Sequence, residues 1–478
     1  MTAHKQVYDV VVLGAGPVGE NVADYARKGG VSVAVVEREL VGGECSYWAC
    51  IPSKALLRPV HALAAARRVP GAREAVTGGL DVAAVLAHRD SFISGFDDSG
   101  QVAWLDSAGV ALVRGHGRLV GERTVEVERD GETTMLSARH AVVLATGTSA
   151  LVPDLPGLRA ARPWTSREAT TASAAPRRLL IMGGGVVAVE MAQAWSALGC
   201  EQVTVLERGE RLLARTEPFV GELIRAGLES AGVQVRTGVS VERVERPLDG
   251  GPVTATLSDG STVEADELLV AAGRAPATAD LGLAAVGLAP GRSVPVDDTM
   301  QVQGVDGRWL YAAGDVNGRV LLTHQGKYQG RAVGSLIAAR ASGAAEDTAA
   351  WGRHVATADT AAVPQVVFTD PEVAAVGLTE QQARATGAPV RCVEYALGNV
   401  SGAALHAQGY QGRAKLVVDS ARGVVLGATF VGQDAAELVH AATVAIVGEV
   451  PLDRLWHAVP SFPTMSEIWL RLLEEYGR

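Results

Sequence analysis

Cysteine is scarce in this chain, with four residues among 478. Two of them, Cys45 and Cys50, stand in a C-x4-C arrangement. No other cysteine or histidine lies at short spacing from the pair, which excludes a zinc site there, since zinc needs two more such ligands. No metal site is expected elsewhere. Positive charge is in deficit: 43 basic residues against 53 acidic give a formal net charge of −10. That balance argues against nucleic acid or an anionic membrane surface as a partner. Long apolar runs are missing too. There is no 18-residue hydrophobic stretch, and no basic region followed by an apolar run opens the chain, so the expected location is the cytoplasm. What is present is ordinary for a globular protein, 48% hydrophobic and 20% charged residues, and the length accommodates about three domains.

In a reducing compartment a close cysteine pair is more often catalytic than structural. The segment reads Gly42-Gly43-Glu44-Cys45-Ser46-Tyr47-Trp48-Ala49-Cys50-Ile51-Pro52-Ser53-Lys54. Pro52 suits the first turn of a helix, where a missing N–H costs nothing. Cys50 then sits at the positive end of that helix, which favours thiolate over thiol. A pair with one activated thiol suits electron transfer through a disulfide. Cys200 and Cys392 are expected to be packing residues.

Two dinucleotide-type turns flank this chemistry. Tyr8 to Leu13 is an apolar run expected to form a buried parallel strand. Gly14-Ala15-Gly16-Pro17-Val18-Gly19 follows, a helix is expected to end near Gly29-Gly30, and a second strand from Val31 to Val36 ends in Glu37. These glycines permit a tight turn and close approach of a pyrophosphate to the helix N-terminus, and Glu37 is placed to accept from a ribose hydroxyl. The second copy runs from a strand at Arg178–Met182 through Gly183-Gly184-Gly185-Val186-Val187-Ala188 and a helix reaching Gly199 to a strand at Gln202–Leu206, ending in Glu207. Two such units imply two dinucleotides. Glu207 favours the free 2′-hydroxyl of NADH over the phosphate of NADPH, although Arg208 and Arg211 beside it leave NADPH open.

The cysteine segment resembles the redox-active disulfide of the pyridine nucleotide–disulfide oxidoreductases, the family of dihydrolipoamide dehydrogenase, glutathione reductase and mercuric reductase. It keeps both glycines, both cysteines and the Ile-Pro-Ser-Lys tail, and departs at Tyr47, Trp48 and Ala49, where smaller residues are usual. Further marks follow in order: Val142-Val143-Leu144-Ala145-Thr146-Gly147, the breaker-rich Pro153–Gly157 stretch, Ala271–Pro276, Tyr311-Ala312-Ala313-Gly314-Asp315, and Thr369-Asp370-Pro371-Glu372. The resemblance implies an α/β fold of two doubly wound (Rossmann-like) FAD- and NAD(P)-binding domains plus a C-terminal α+β dimerisation domain. The expected boundaries are 1–152 and 273–346 for the FAD domain, 153–272 for the NAD(P) domain and 347–478 for the interface domain of a homodimer. It assigns FAD to Gly14, Gly16, Pro17, Gly19, Glu37, Gly43, Glu44, Lys54, Gly117, Thr146, Gly147, Gly314, Asp315 and Thr323. It assigns the nicotinamide coenzyme to Gly183, Gly185, Val186, Val187, Glu190, Glu207, Val239 and Gly273. Lys54 would approach the flavin and pair with Glu190. Cys50 would hold the thiolate nearer the flavin, and Cys45 would attack the substrate.

Two departures bear on activity. Val186 stands where glutathione-type reductases often carry a tyrosine lid. At the C-terminus the family's His-Pro-Thr-x-x-Glu, whose histidine is the acid–base contributed by the partner subunit, reads Phe462-Pro463-Thr464-Met465-Ser466-Glu467. Phe462 cannot move a proton, so His457 is the candidate replacement and Glu467 its orienting partner. A ketone-carboxylating relative also carries Phe here but lacks the glutamate. The chain shows no vicinal cysteines at its end, so the metal-trapping tail of mercuric reductase is not expected. The expected activity is therefore NAD(P)H-dependent reduction, through FAD and the Cys45–Cys50 disulfide, of a small disulfide substrate with atypical acid–base chemistry. The alternatives are a diaphorase-type reductase of quinones acting from the flavin, ketone and CO2 chemistry, and a non-catalytic redox sensor.

Overall fold

The computed structural model describes residues 5–248 and 250–477. They form two compact units, one built from residues up to Pro52, Asp90–Ala150 and Arg274–Asp359, the other from Ser53–Arg89, Leu151–Gly273 and residues from Thr360 onward.

The first unit is organised around a seven-stranded sheet. Its parallel part runs Ala111–Arg114, Val33–Glu37, Lys5–Leu13, Glu132–Leu144 and Leu310–Ala312. In chain order that is third, second, first, fourth, fifth, the doubly wound order. The long strand Glu132–Leu144 serves two sheets' worth of pairing. Its last residues pair in parallel with Val10–Leu13, and its first pair antiparallel with Thr124–Arg129, beyond which lies His116–Gly121. Alternation along the central strand sends Val10 and Val12 to one apolar cluster and Val11 and Leu13 to the other, because successive side chains leave opposite faces. The first cluster is roofed by helices Pro17–Lys28 and Thr323–Ser342. These two approach closely because the second carries glycines one turn apart: a Cβ on Gly334 would lie 2.5 Å from the Val22 carbonyl oxygen, and one on Gly330 2.9 Å from that of Val18.

The second unit holds a four-stranded parallel sheet in the order Gln234–Thr237, Gln202–Glu207, Arg178–Met182, Glu267–Val270, again third, second, first, fourth. Its helix Val186–Ala197 buries Met191 and Trp195 in the same cluster as Leu179, Ile181, Val203 and Val205. The C-terminal part is an antiparallel five-stranded sheet, Pro364–Val367, Glu372–Gly377, Val424–Gly432, Arg413–Asp419, Val390–Ala396, packed on helices Leu438–Val447 and Ile468–Tyr476. Lys415, at 4% exposure, survives inside this sheet because Glu217 and Glu380 take its ammonium at 2.9 and 2.7 Å.

The first-copy strands differ from the sequence expectation at their starts. The opening strand begins at Lys5, because residues 5–8 pair with Met135–Ala138. The second begins at Val33 instead of Val31. Ser32 is held out of the ladder by Asp9, whose Oδ2 accepts from both its N–H and its hydroxyl at 2.8 Å. The described residues contain no helix long and apolar enough to cross a membrane.

Candidate active site

In the first unit the glycine turn closes the strand Lys5–Leu13. Gly14 has φ +101°, and a Cβ there would lie 2.5 Å from the Ala145 carbonyl oxygen. Gly16 caps helix Pro17–Lys28 in extended conformation without any side-chain cap, with Pro17 as the first helical residue. A Cβ on Gly19 would strike the Gly14 carbonyl, and one on Gly43 would come within 2.8 Å of the Gly16 Cα. Glu37 lies against the turn: its two oxygens accept from Ala15 N and Glu39 N, each at 2.8 Å. The Asp315 carboxylate accepts from Thr148 Oγ1 at 2.7 Å, and Arg274 stands 3.9 Å from it and 3.8 Å from Glu44. Burial pushes the Asp315 carboxyl above its usual range, against Thr148 and Arg274, which pull it down. Thr146 donates to the Ala277 carbonyl, Gly147 has φ +68°, and Gly314 takes its hydrogen bond from its own N–H to Gln329. A Cβ on Gly117 would crowd Leu13. An uncapped helix N-terminus with glycine on both walls, a carboxylate at the second strand's end and a half-buried carboxylate after the last strand fit a flavin dinucleotide: diphosphate on the amides, hydroxyls on the acids.

The cysteine pair belongs to this unit as well. Cys45 is in the short helix Gly43–Tyr47, and Cys50 opens the helix Cys50–Arg68 with Pro52 in its first turn. The Cys50 Sγ lies 3.4 Å from Thr323 Oγ1. The hydrogen bond with Cys50, then burial and the charge on Cys50, drive the Cys45 thiol well above its ordinary value, with Thr323 and Lys327 opposing. Tyr47 and Trp48, the departures in the motif, join Phe96 in an aromatic group with ring centroids 5.7, 6.4 and 6.0 Å apart.

The second unit repeats the glycine geometry. Gly183 has φ +121° and sits against the Ala271 carbonyl, and Gly185 caps helix Val186–Ala197 with open space where its Cβ would be. That uncapped end, begun by Val186 and Val187, fits the second diphosphate. Glu207 Oε1 accepts from Gly209 N at 2.6 Å, its Oε2 borders Gly184, and its carbonyl receives Val239 N at 3.2 Å. Arg211 turns back to the Ala214 carbonyl at 2.8 Å, whereas Arg208 is exposed. Gly273, with φ +128°, accepts from Leu151 N at 3.0 Å. On the same helix Glu190, 3% exposed, receives Lys54 Nζ at 2.8 Å and the Phe368 N–H at 2.9 Å. Lys54 also stands 4.9 Å over the Phe368 ring.

The C-terminal residues are less converged. Phe462 is 74% exposed. Glu467 is buried, with one oxygen on Arg471 at 2.6 Å and the other without a partner among the described residues. The His457 ring is exposed, and its backbone N–H goes to Arg454 O at 3.0 Å. Cys200 is buried in the second unit's core, as a packing residue should be, and burial raises the half-buried Cys392 thiol to about 11.

Sequence reasoning passed over Phe368, the Thr148–Arg274 pair on Asp315, and a polar cavity of about 570 Å³ in the first unit whose lining includes Glu20, Asp24, Trp104 and Lys327. A carboxylate in the first turn of a glycine-turn helix, where a phosphate is expected, was the one available sign of it.

Comparison with known proteins agrees with this geometry. Residues 8–330 match the family model of the pyridine nucleotide-disulphide oxidoreductases, and residues 363–472 match that family's dimerisation domain. The mercuric reductase of Staphylococcus aureus is 32% identical over 463 residues, spanning 96% of this chain and 81% of that protein. The dihydrolipoyl dehydrogenase of Synechocystis is 32% identical over 496 residues, 98% of each. In fold, the copper(II) complex of the HOCl-induced flavoprotein disulfide reductase RclA from Escherichia coli superposes with a TM-score of 0.83 at 24% identity, over 98% of this chain and 99% of that one. On its sequence and on its fold, the chain belongs to the pyridine nucleotide-disulphide oxidoreductase family.

Proposed function

We propose that this chain is an NAD(P)H-dependent reductase of a small disulfide, working as a homodimer. The observation that carries the reading is the sulfur pair: Cys50 at a helix N-terminus, touched by the Thr323 hydroxyl, with the Cys45 thiol raised by its neighbour and by burial. The first glycine turn, Glu37 and Asp315 would hold FAD, and the second turn with Glu207 would hold the nicotinamide coenzyme. When bound, these groups supply an electron pair to the Cys45–Cys50 disulfide. The protein's own part is then sulfur and proton chemistry. Cys45 attacks the substrate disulfide, Cys50 stays ionised through the helix N-terminus and Thr323, and Cys50 next displaces the second thiol by closing the Cys45–Cys50 bond. Lys54 is fixed as a cation by Glu190 and Phe368, and the family resemblance gives it the part of stabilising negative charge on the reduced cofactor. Glu207 disfavours a 2′-phosphate, so NADH is the expected donor. The match to a dimerisation domain supports the homodimer, as do Trp456, Val459 and Phe462, exposed at 38%, 83% and 74%.

A second reading has the flavin reduce quinones without the cysteines. Val186 in place of a lid and Phe462 in place of a proton donor favour it. A steady-state panel of disulfides and quinones with NADH and NADPH separates the two. Cys45→Ser is expected to abolish disulfide reduction, and quinone turnover that survives it measures the direct route. Disulfide reduction unchanged in Cys45→Ser refutes the dithiol mechanism, and a preference for NADPH refutes the role given to Glu207.

A further inference from the structure

The mechanism just described leaves a proton without a carrier. Cys45 must shed one to attack, the departing thiolate must gain one, and Phe462 stands where the family keeps its histidine. The polar cavity of about 570 Å³ bears on this gap. Its titratable lining comes from two helices: Glu20 and Asp24 on Pro17–Lys28, and His324, Lys327 and Arg331 on Thr323–Ser342. Helix Ser99–Ser107 closes a third side with Gln101 and Trp104, which carry no charge. Two of the cavity's walls lead toward the sulfur pair. His324 follows Thr323, whose hydroxyl touches Cys50, and Gln101 Nε2 lies 3.3 Å from the point where a Cβ on Gly42 would stand. The charge of Lys327 acts on both Cys45 and Glu20, and that of Glu20 acts on Tyr47, two residues beyond Cys45.

Glu20 is unlike the other carboxylates of the unit. Its Oε1 is buried and has no hydrogen-bond partner among the described residues. Burial raises its carboxyl to about 7, with Lys327 opposing and Glu37 on the second strand adding to the rise. A carboxyl poised there exchanges protons at neutral pH in either direction.

We propose that Glu20 is the acid–base group of disulfide exchange in this protein, taking the proton from Cys45 and delivering it to the leaving thiolate. The proposal rests on the dithiol reading above. Written out, ionised Glu20 accepts the Cys45 proton across the cavity, directly or through one water. The Cys45 sulfur bonds to one substrate sulfur as the substrate S–S bond breaks, and the first thiolate takes the proton from Glu20. Cys50 then bonds to Cys45 and expels the second thiolate, which is protonated from water. Two electrons pass from the dithiol to the substrate, and Glu20 ends as it began.

The test is oxidation of the NADH-reduced holoenzyme in single-turnover mixing, with hydroxyethyl disulfide and with dithiobis(nitrobenzoate). The alkyl thiolate needs a proton to leave and the aromatic one does not. Glu20→Gln is expected to slow the alkyl disulfide about 100-fold and the aromatic one by far less. It should also abolish the rate inflection near pH 7 expected from the raised Glu20 carboxyl. Glu20→Asp should restore part of the rate. Independently of turnover, infrared titration should show a neutral carboxyl band that disappears across the same pH range in the native protein and is missing in Glu20→Gln. Equal slowing of both disulfides, or an inflection that moves with His324→Ala and persists in Glu20→Gln, overturns the assignment. A native enzyme oxidised by neither disulfide would instead overturn the dithiol reading on which it rests.

Discussion

The Lys54–Glu190 pair offers a perturbation whose size follows from burial. Glu190 is 3% exposed, whereas the Lys54 side chain is 35% exposed, so the two ends of the bond differ in access to water. Removing one partner of a fully buried pair costs about 3–5 kcal/mol because the other charge is stranded. Lys54→Met strands a carboxylate that still receives the Phe368 N–H at 2.9 Å. One retained hydrogen bond, and some water through the gap left by a partly exposed lysine, lower the expected cost to about 2 kcal/mol. Glu190→Gln strands only a lysine that can turn to solvent, and a glutamine carbonyl can still accept from Phe368, so about 1 kcal/mol is expected. At roughly 2–4 °C per kcal/mol for domains of this scale, the melting temperature should fall by about 4–8 °C in the first variant and about 2–4 °C in the second.

The double variant should resemble Glu190→Gln alone, since Lys54→Met does no further harm once the carboxylate is gone. Denaturant unfolding with saturating FAD measures these losses. Equal losses in the two single variants would refute this account of the pair.

Glu372 should show a pH dependence without mutation of a partner. Burial, with Asp434 and Asp370 adding to it and the Ala436 N–H opposing, raises its carboxyl to about 7. Stability from the neutral form is thus present below the ordinary glutamate range and lost as pH rises through 7. Glu372→Gln should gain on the native protein between pH 5.5 and 8 in denaturant midpoints, and a constant difference would refute it. At the C-terminus, Phe462→His should raise turnover of an alkyl disulfide by about tenfold or more, and Glu467→Gln in that background should lose most of the gain. No change in turnover would show that position 462 is not within proton reach of the substrate.

Much of the fold was legible because a buried parallel strand leaves a short apolar run ending in glycine. Arg178–Met182 and its copy ending in Glu207 sit where the sequence places them. What escaped is what that pattern does not contain. Residues 5–7 extend the first strand through exposed side chains paired to Glu132–Leu144, and Ser32 leaves the second strand for Asp9, 23 positions away. Neither contact leaves a periodic trace.

The site divides along the same line. The cysteine pair and both glycine turns are local, each within a few residues, and could be read directly. Lys54 and Glu190 are 136 positions apart and were reachable only by resemblance, and Phe368, which orients both, carries no motif at all. Glu20 is the sharpest case. In sequence it is an acid in the first turn of a helix, where the dipole favours a negative charge and the bland expectation is a solvated carboxylate. Only the packing of the helix Thr323–Ser342 and the strand Val33–Glu37 decides otherwise, by removing water and setting Lys327 against Glu37. Its raised carboxyl is a balance of opposing influences from three elements. A residue of this kind is defined by the tertiary structure, so its chemistry becomes visible only when the whole cavity is.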